Sequence, residues 1–279
     1  MSFTSNKDKY EKYKPKKFLG QNFLVDENIA KKIVESLRIE KGDNVLEIGP
    51  GKASLTKYLA VKEINLIAVE LDRSVIGELN DRFKDKLHLI HKDFLKVDLE
   101  NDLKEFMDSG KKLRIIGNIP YNITTEILFR IFEKSSVISE AVLMMQKEVA
   151  KRLVAEKDNK DYGIMAVQTQ TFSNPEILFN VPPTAFFPKP NVTSTVVRFT
   201  FESLPYEVSD VGLFKKIVRA GFGKRRKTLH NSLKDLLKEL NINEEELDLD
   251  MIRRPENLSV EEFANLSNRI SVILKNKSN

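Results

Sequence analysis

The chain has 279 residues, 41% of them hydrophobic, enough to bury the core of one large domain and a second small one. Its 46 Lys and Arg against 41 Asp and Glu leave a formal charge of +5, a balance compatible with a polyanionic partner. With no cysteine and only three scattered histidines (His88, His91, His230), disulfides, thiolate nucleophiles and zinc-ligand spacings are excluded, and no metal is expected.

Residues 1–20 hold Lys7, Lys9, Lys12, Lys14, Lys16 and Lys17 and few apolar side chains, so they read as a basic arm ordered only against a partner. They lack the apolar stretch of a secretory signal. They also contain Asp8 and Glu11 and no arginine up to residue 17, unlike a mitochondrial presequence. No run approaches the ~18 apolar residues of a membrane span, so the expected address is the cytoplasm, with no membrane partner.

From about residue 44, short apolar runs alternate with longer helical patterns, the signature of a mostly parallel α/β sheet. Strands are predicted near Asn44–Ile48, Asn65–Glu70, Leu87–His91, Leu113–Gly117 and Ala141–Met145. Helices are predicted over Ser54–Val61, Arg73–Phe83 and Thr124–Glu133, with further ones over Gln146–Ala155 and Tyr162–Phe172. Pro175–Val181 and Thr195–Phe201 read as two late strands flanking a proline-rich loop. Beyond about residue 205 only helical patterns follow: Leu213–Gly221, Lys227–Leu240 and Val260–Lys275. The expected organisation is thus an arm over 1–20, an α/β domain over 21–204 and a small helical domain over 205–279.

The stretch Val45-Leu46-Glu47-Ile48-Gly49-Pro50-Gly51 sets two glycines between a strand and a helix, where backbone can approach a ligand closely. Ser54 stands where a dinucleotide fingerprint wants Gly or Ala, and no P-loop Lys-Ser/Thr pair follows. Glu47 instead places an acid beside the loop, better suited to a sulfonium and an ammonium than to pyrophosphate. Glu70, 21 positions after Gly49 at the end of the second strand, can accept from both hydroxyls of a ribose. Asp93 after the third strand can accept from an adenine amino group, with Phe94 against the ring. An acid at one strand end is usually a helix cap. Three acids at three successive strand ends point to a ligand site.

After the fourth strand comes Asn118-Ile119-Pro120-Tyr121. The amino nitrogen of adenine is a poor nucleophile because its lone pair is delocalised into the ring. The Asn118 side-chain oxygen and the Ile119 carbonyl can hold its two hydrogens, Pro120 stiffens the turn, and Tyr121 offers a face for an extruded base. Near the C-terminus, Lys224, Arg225, Arg226 and Lys227 form a basic run at the start of a predicted helix, suited to phosphates on structured RNA.

The chain resembles the ribosomal RNA adenine dimethyltransferases, specifically their small-subunit type. The matching stretches are Phe18-Leu19-Gly20-Gln21-Asn22-Phe23-Leu24, Glu47-Ile48-Gly49-Pro50-Gly51, Glu70-Leu71-Asp72, Asn118-Ile119-Pro120-Tyr121-Asn122, Gln146-Lys147-Glu148-Val149 and Pro182-Pro183-Thr184-Ala185-Phe186 with Pro188, Pro190 and Val192. Phe187 departs mildly from the family's pattern. The resemblance implies a Rossmann-like, seven-stranded class I methyltransferase sheet with a small all-helical C-terminal domain. It implies S-adenosyl-L-methionine as cofactor, held by Asn22, Leu24, Gly49, Glu70, Asp93 and Asn118, and Phe186 as a second aromatic beside Tyr121 near the base. The pattern alone would read Asn22 and Leu24 as the lead-in to a helix, and Phe186 as a core contact.

The implied reaction converts two neighbouring adenines, in a hairpin loop near the 3′ end of small-subunit rRNA, to N6,N6-dimethyladenine. The implied enzyme is a monomer, and its implied partner is that rRNA in a pre-30S-like particle. The alternatives are the related antibiotic-resistance methyltransferases of large-subunit RNA, a non-catalytic ribosome-assembly factor, and a methyltransferase of protein amides.

Overall fold

The computed structural model describes residues 20–108, 110–202, 204 and 206–278, so all but the last residue of the expected basic arm lies outside the described residues. In chain order the elements are β1 (Phe23–Leu24), α1 (Glu27–Glu35), β2 (Asn44–Ile48), α2 (Thr56–Leu59), β3 (Asn65–Glu70), α3 (Arg73–Phe83) and β4 (His88–His91). There follow β5 (Leu113–Asn118), α4 (Thr124–Glu133), β6 (Ile138–Gln146), α5 (Lys147–Leu153), α6 (Ile164–Phe172), β7 (Asn174–Val181), β8 (Phe186–Phe187) and β9 (Ser194–Thr200). Three more helices complete the chain: α7 (Val211–Gly223), α8 (Leu229–Glu239) and α9 (Val260–Ser278).

Seven strands form one sheet in the order β4-β3-β2-β5-β6-β9-β7. It is parallel from β4 to β6, and β9 runs antiparallel to β6. Every residue of β2 is buried, the polar Asn44 and Glu47 included, so the strand shows no alternation of apolar and polar positions. The helices bury one stripe each. Asp72 caps α3 by accepting from the Ser74 N–H, and Val75, Leu79 and Phe83 then face inward at four-residue steps.

The chain winds outward from β2 to β4 and returns to β5 on the other side of β2, so the carboxyl ends of β2 and β5 part company. Gly117 lets those two strands approach: a Cβ there would lie 2.9 Å from the Ile48 carbonyl oxygen.

Two compact units are present. One holds the described residues up to Ala150 with Glu176–Phe201, and the other holds Lys151–Pro175 with Glu202 onward. The division departs from the expected boundary in one respect: residues 151–175 belong with the C-terminal helices. The reason is in that unit's core, where Ala155, Tyr162, Ala166 and Val167 join Phe214, Leu233 and Phe263. Tyr162, 1% exposed, also donates its hydroxyl to the Leu258 carbonyl at 2.8 Å. Among the described residues no helix is long and apolar enough to cross a membrane, and no three potential ligands gather as a metal site.

At the end of the sheet marked by the amino ends of β2, β5 and β6, charged side chains, most of them buried, run across neighbouring strands. Asp43 pairs with Arg114 on β5 at 2.8 Å, and Arg114 reaches Glu140 on β6. Glu140 meets Arg198 on β9 at 2.9 Å, and Arg198 meets Glu176 on β7 at 2.9 Å. Glu140 is 3% exposed, and burial holds its carboxyl above the ordinary range against the pull of Arg114 and Arg198. Arg114→Met removes the link between two buried carboxylates, so it should lower the unfolding free energy by about 3–5 kcal/mol in urea denaturation. A loss below about 1 kcal/mol would mean that the ladder contributes nothing to stability.

Candidate active site

Where β2 and β5 diverge, a cavity of about 270 Å³ is walled by five segments, which contribute Asn22 and Leu24, Gly49, Glu70, Asp93, and Asn118 with Tyr121. The expected cofactor residues therefore come together, although they are spread over 97 positions of sequence. Gly49 and Gly51 take φ of +65° and +51°, backbone that other residues adopt only at a cost. A Cβ on Gly49 would meet nothing within 4 Å, so open space remains over the loop for a ligand.

Two buried acids line this space. Glu47 is 2% exposed and its Oε2 has no hydrogen-bond partner. Burial pushes its carboxyl up to about 8; Thr56 beside it pulls the other way, and the Glu70 carboxylate adds to the rise. A buried acid with one unpartnered oxygen suits a ligand that brings positive charge. Glu70, 7% exposed, accepts from the Gly51 N–H at 2.9 Å and the Asp72 N–H at 2.7 Å. It thereby pins the glycine loop and keeps lone pairs for further donors, since a carboxylate offers about four acceptor sites. Burial raises its carboxyl also, and the backbone N–H groups oppose that. Asp93 caps a short turn through the Leu95 N–H at 3.0 Å and lines the cavity together with Phe94.

On the β5 side, the Asn118 Nδ2 donates to the Asn22 carbonyl at 2.8 Å. That bond engages the amide's nitrogen and leaves Oδ1, its acceptor end, for another donor. The Ile119 N–H is anchored on the Met144 carbonyl at 3.3 Å, and Thr124 ties the turn through the Pro120 carbonyl at 3.1 Å. The Tyr121 hydroxyl lies 2.6 Å from the hydroxyl of Ser194, which is fully buried at the start of β9. This contact fixes the ring as a wall of the cavity. Ser194 carries no motif signal, so only the fold brings it into view.

Asn22 and Leu24 belong to β1 and its lead-in, and β1 pairs antiparallel with β8, so neither residue begins a helix. A two-residue strand is too short for any periodicity to reveal. Phe186 departs from its expected place: it pairs with Leu24, is 4% exposed, belongs to the core and does not line the cavity. It is a core contact paired with Leu24, which does line the cavity.

The basic run is likewise repositioned. Helix α8 begins at Leu229 with Thr228 as its cap, so residues 224–227 form a turn after α7 rather than a helix start. Within that turn Arg225 pairs with Glu256 at 2.7 Å and donates to the carbonyls of Lys160 and Asn159, and Lys224 pairs with Asp235 at 3.0 Å. Arg226 and Lys227 are exposed.

The Glu47 carboxyl carries a consequence for pH. Its folded value lies near 8 against an ordinary 4.5, so between these the folded state keeps a proton that the unfolded chain releases. Stability then falls as pH rises through that window. Glu47→Gln should flatten the slope of unfolding free energy against pH between 5 and 8; equal slopes in wild type and variant would show that Glu47 is ionised in the fold.

A model of the ribosomal RNA adenine dimethylase family matches residues 12–271. Two relatives called ribosomal RNA small subunit methyltransferase A, from Francisella tularensis subsp. novicida and subsp. tularensis, are each 42% identical over 265 residues. Each alignment covers 93% of this chain and 99% of the relative. A dimethyladenosine transferase from Plasmodium falciparum superposes with a TM-score of 0.72 at 22% identity, over 88% of this chain and 96% of that one. The 23S rRNA methyltransferase ErmE gives 0.63 at 21%, over 90% and 100%. These two structures share the fold, a Rossmann-like class I methyltransferase sheet followed by helices. With the family model spanning both units, and relatives this similar along nearly the whole length, the chain belongs to the ribosomal RNA adenine dimethylase family.

Proposed function

We propose that this S-adenosylmethionine-dependent rRNA adenine dimethyltransferase acts on two adjacent adenines in a hairpin loop near the 3′ end of small-subunit rRNA. Its substrate is the RNA of an assembling, pre-30S-like particle, and it works as a monomer in the cytoplasm. The observation that carries the reading is the Asn118 amide on the cavity wall, its nitrogen held by the Asn22 carbonyl and its oxygen left to accept.

The residues present fit the cofactor. The unpartnered Glu47 Oε2 suits its positive charge, Glu70 its ribose hydroxyls, Asp93 and Phe94 its adenine, and the space over Gly49 its close approach to backbone. Asn22 and Leu24 complete the wall. Bound there, S-adenosylmethionine supplies an electrophilic methyl group. Asn118 Oδ1 and the Ile119 carbonyl accept the two N6 hydrogens of the extruded adenine and draw its lone pair out of the ring. Tyr121, its hydroxyl engaged by Ser194, presents the aromatic face on which the base stacks. No side chain is assigned as general base, because a methylated amine is acidic enough to lose its proton to water. The residues contribute mainly alignment, which can supply about 7–11 kcal/mol of the barrier.

The helical unit is assigned to RNA binding, with Arg226 and Lys227 as its phosphate contacts, and Lys224 and Arg225 as residues that hold the turn. The small-subunit target is favoured over the large-subunit one by the relatives at 42% identity. A non-catalytic assembly role is disfavoured because Glu70, Asp93, Asn118 and Tyr121 all stand on one cavity.

Asn118→Ala should lower kcat by on the order of 100-fold or more while donor affinity survives in part, as calorimetry and labelled-donor transfer can measure. Transfer at the normal rate would refute the amine-holding role. Incubating the wild-type protein with each ribosomal subunit and mapping the modified nucleotides should place them on the small subunit. Replacing Arg226 and Lys227 by Gln should weaken RNA binding and reduce the slope of log affinity against log salt by roughly one for each phosphate no longer neutralised. An unchanged slope would return both to a merely solvated surface.

A further inference from the structure

Segment Gly20–Leu24 lines the cavity and is tied at several points. At one end the Gln21 Nε2 donates to Asp72 Oδ2 at 2.9 Å. One residue on, the Asn22 carbonyl takes the Asn118 amide at 2.8 Å. Beyond it, Phe23 and Leu24 pair with Phe187 and Phe186, and the Val25 N–H donates to the Ala185 carbonyl at 2.8 Å. Gly20 lies so close to the substrate turn that an added Cβ would stand 2.6 Å from Asn122 Oδ1 and 3.5 Å from Pro120. The Asn122 side chain could move aside, but the φ of +63° favours glycine there.

Asp72 is 4% exposed and has further ties, among them the cap of α3 through the Ser74 N–H and hydroxyl and the donation of its own N–H to Glu70 Oε1. The other oxygen of Glu70 holds the Gly51 N–H. An unbroken series of hydrogen bonds and short covalent steps thus leads from the glycine loop through Glu70, Asp72 and Gln21 to the Asn22 carbonyl and the Asn118 amide.

We infer that Gln21 is a positioning residue: through Asp72 it fixes the strand whose Asn22 carbonyl orients Asn118, so that filling the cofactor side of the cavity and readying the amine-gripping amide are one event. The inference rests on the reading of Asn118 given above. A ligand that engages Glu70 and the strand stiffens the whole series, and Asn118 is then held before a base arrives. Such coupling between two sites is reciprocal, so a base held by Asn118 also retains the cofactor. Gln21 is suited to this because its amide is half-buried and bonds a carboxylate, the stronger kind of hydrogen bond.

The test uses the full chain, with S-adenosylhomocysteine as the probe for the cofactor side. The side-chain amide resonance of Asn118, identified by its disappearance in Asn118→Ala, is followed in wild type, Gln21→Ala and Gln21→Lys. Unfolding midpoints confirm that each variant is folded. Gln21→Ala should weaken S-adenosylhomocysteine about tenfold, displace the Asn118 signal, and lower kcat on RNA more than it changes KM. Gln21→Lys again sets a donor against Asp72 and should recover all three. An Asn118 signal unmoved in folded Gln21→Ala overturns the inference, even where cofactor affinity falls, because the strand then serves the cofactor alone. Failure of the RNA assignment looks different: the wild-type protein leaves small-subunit RNA unmodified while the Asn118 signal still responds to Gln21→Ala.

Discussion

The bond from the Asn118 amide to the Asn22 carbonyl engages the nitrogen end of that amide on backbone and leaves its oxygen as the end able to accept. An asparagine can present either a donor or an acceptor, and only the acceptor end can hold the hydrogens of an amine. The protein settles this with backbone rather than with another side chain. A carbonyl leading into a paired strand does not rotate, whereas a side chain would carry rotamers of its own.

Electrostatics around the cavity follow from burial. Glu47 and Glu70 are close enough for the charge of one to raise the other, and water is largely excluded from both. Glu70 is compensated by two backbone N–H groups, one of them from the glycine loop, while one oxygen of Glu47 is left without compensation. Such a pair disfavours the empty site and favours a positively charged occupant. The charge ladder at the opposite ends of the strands shows the contrasting case: there each buried carboxylate already meets a guanidinium, and the outcome is a structural tie.

Basic residues divide in the same way in the helical unit. Arg225 reads as one member of a run of four cations, yet it bonds Glu256 and two carbonyls and so holds the turn together. Its neighbours Arg226 and Lys227 are exposed on that same turn. Position within a charge run therefore says little about role. Whether a carboxylate is folded against the cation says more, and that depends on Glu256, 31 positions away.

The amino-acid sequence by itself determined the sheet and the outline of the site. Strands buried on both faces read as short, mostly apolar runs, so the parallel strands β2, β3 and β5 and the antiparallel β9 were legible to within a residue of their ends. The Gly49-Pro50-Gly51 loop, Glu70, Asp93 and Asn118–Tyr121 follow their strands directly and were legible for the same reason. Tertiary structure alone decided the rest. The strand Phe23–Leu24 exists only because Phe186 and Phe187 lie beside it, and with it come the Asn22 carbonyl, the Gln21–Asp72 tie and the burial of Phe186. Ser194 reached Tyr121, and residues 151–175 joined the C-terminal helices, through contacts between distant parts of the chain. Local propensity and periodicity report what a residue does with neighbours a few places away; a pairing across a hundred residues leaves no trace in either.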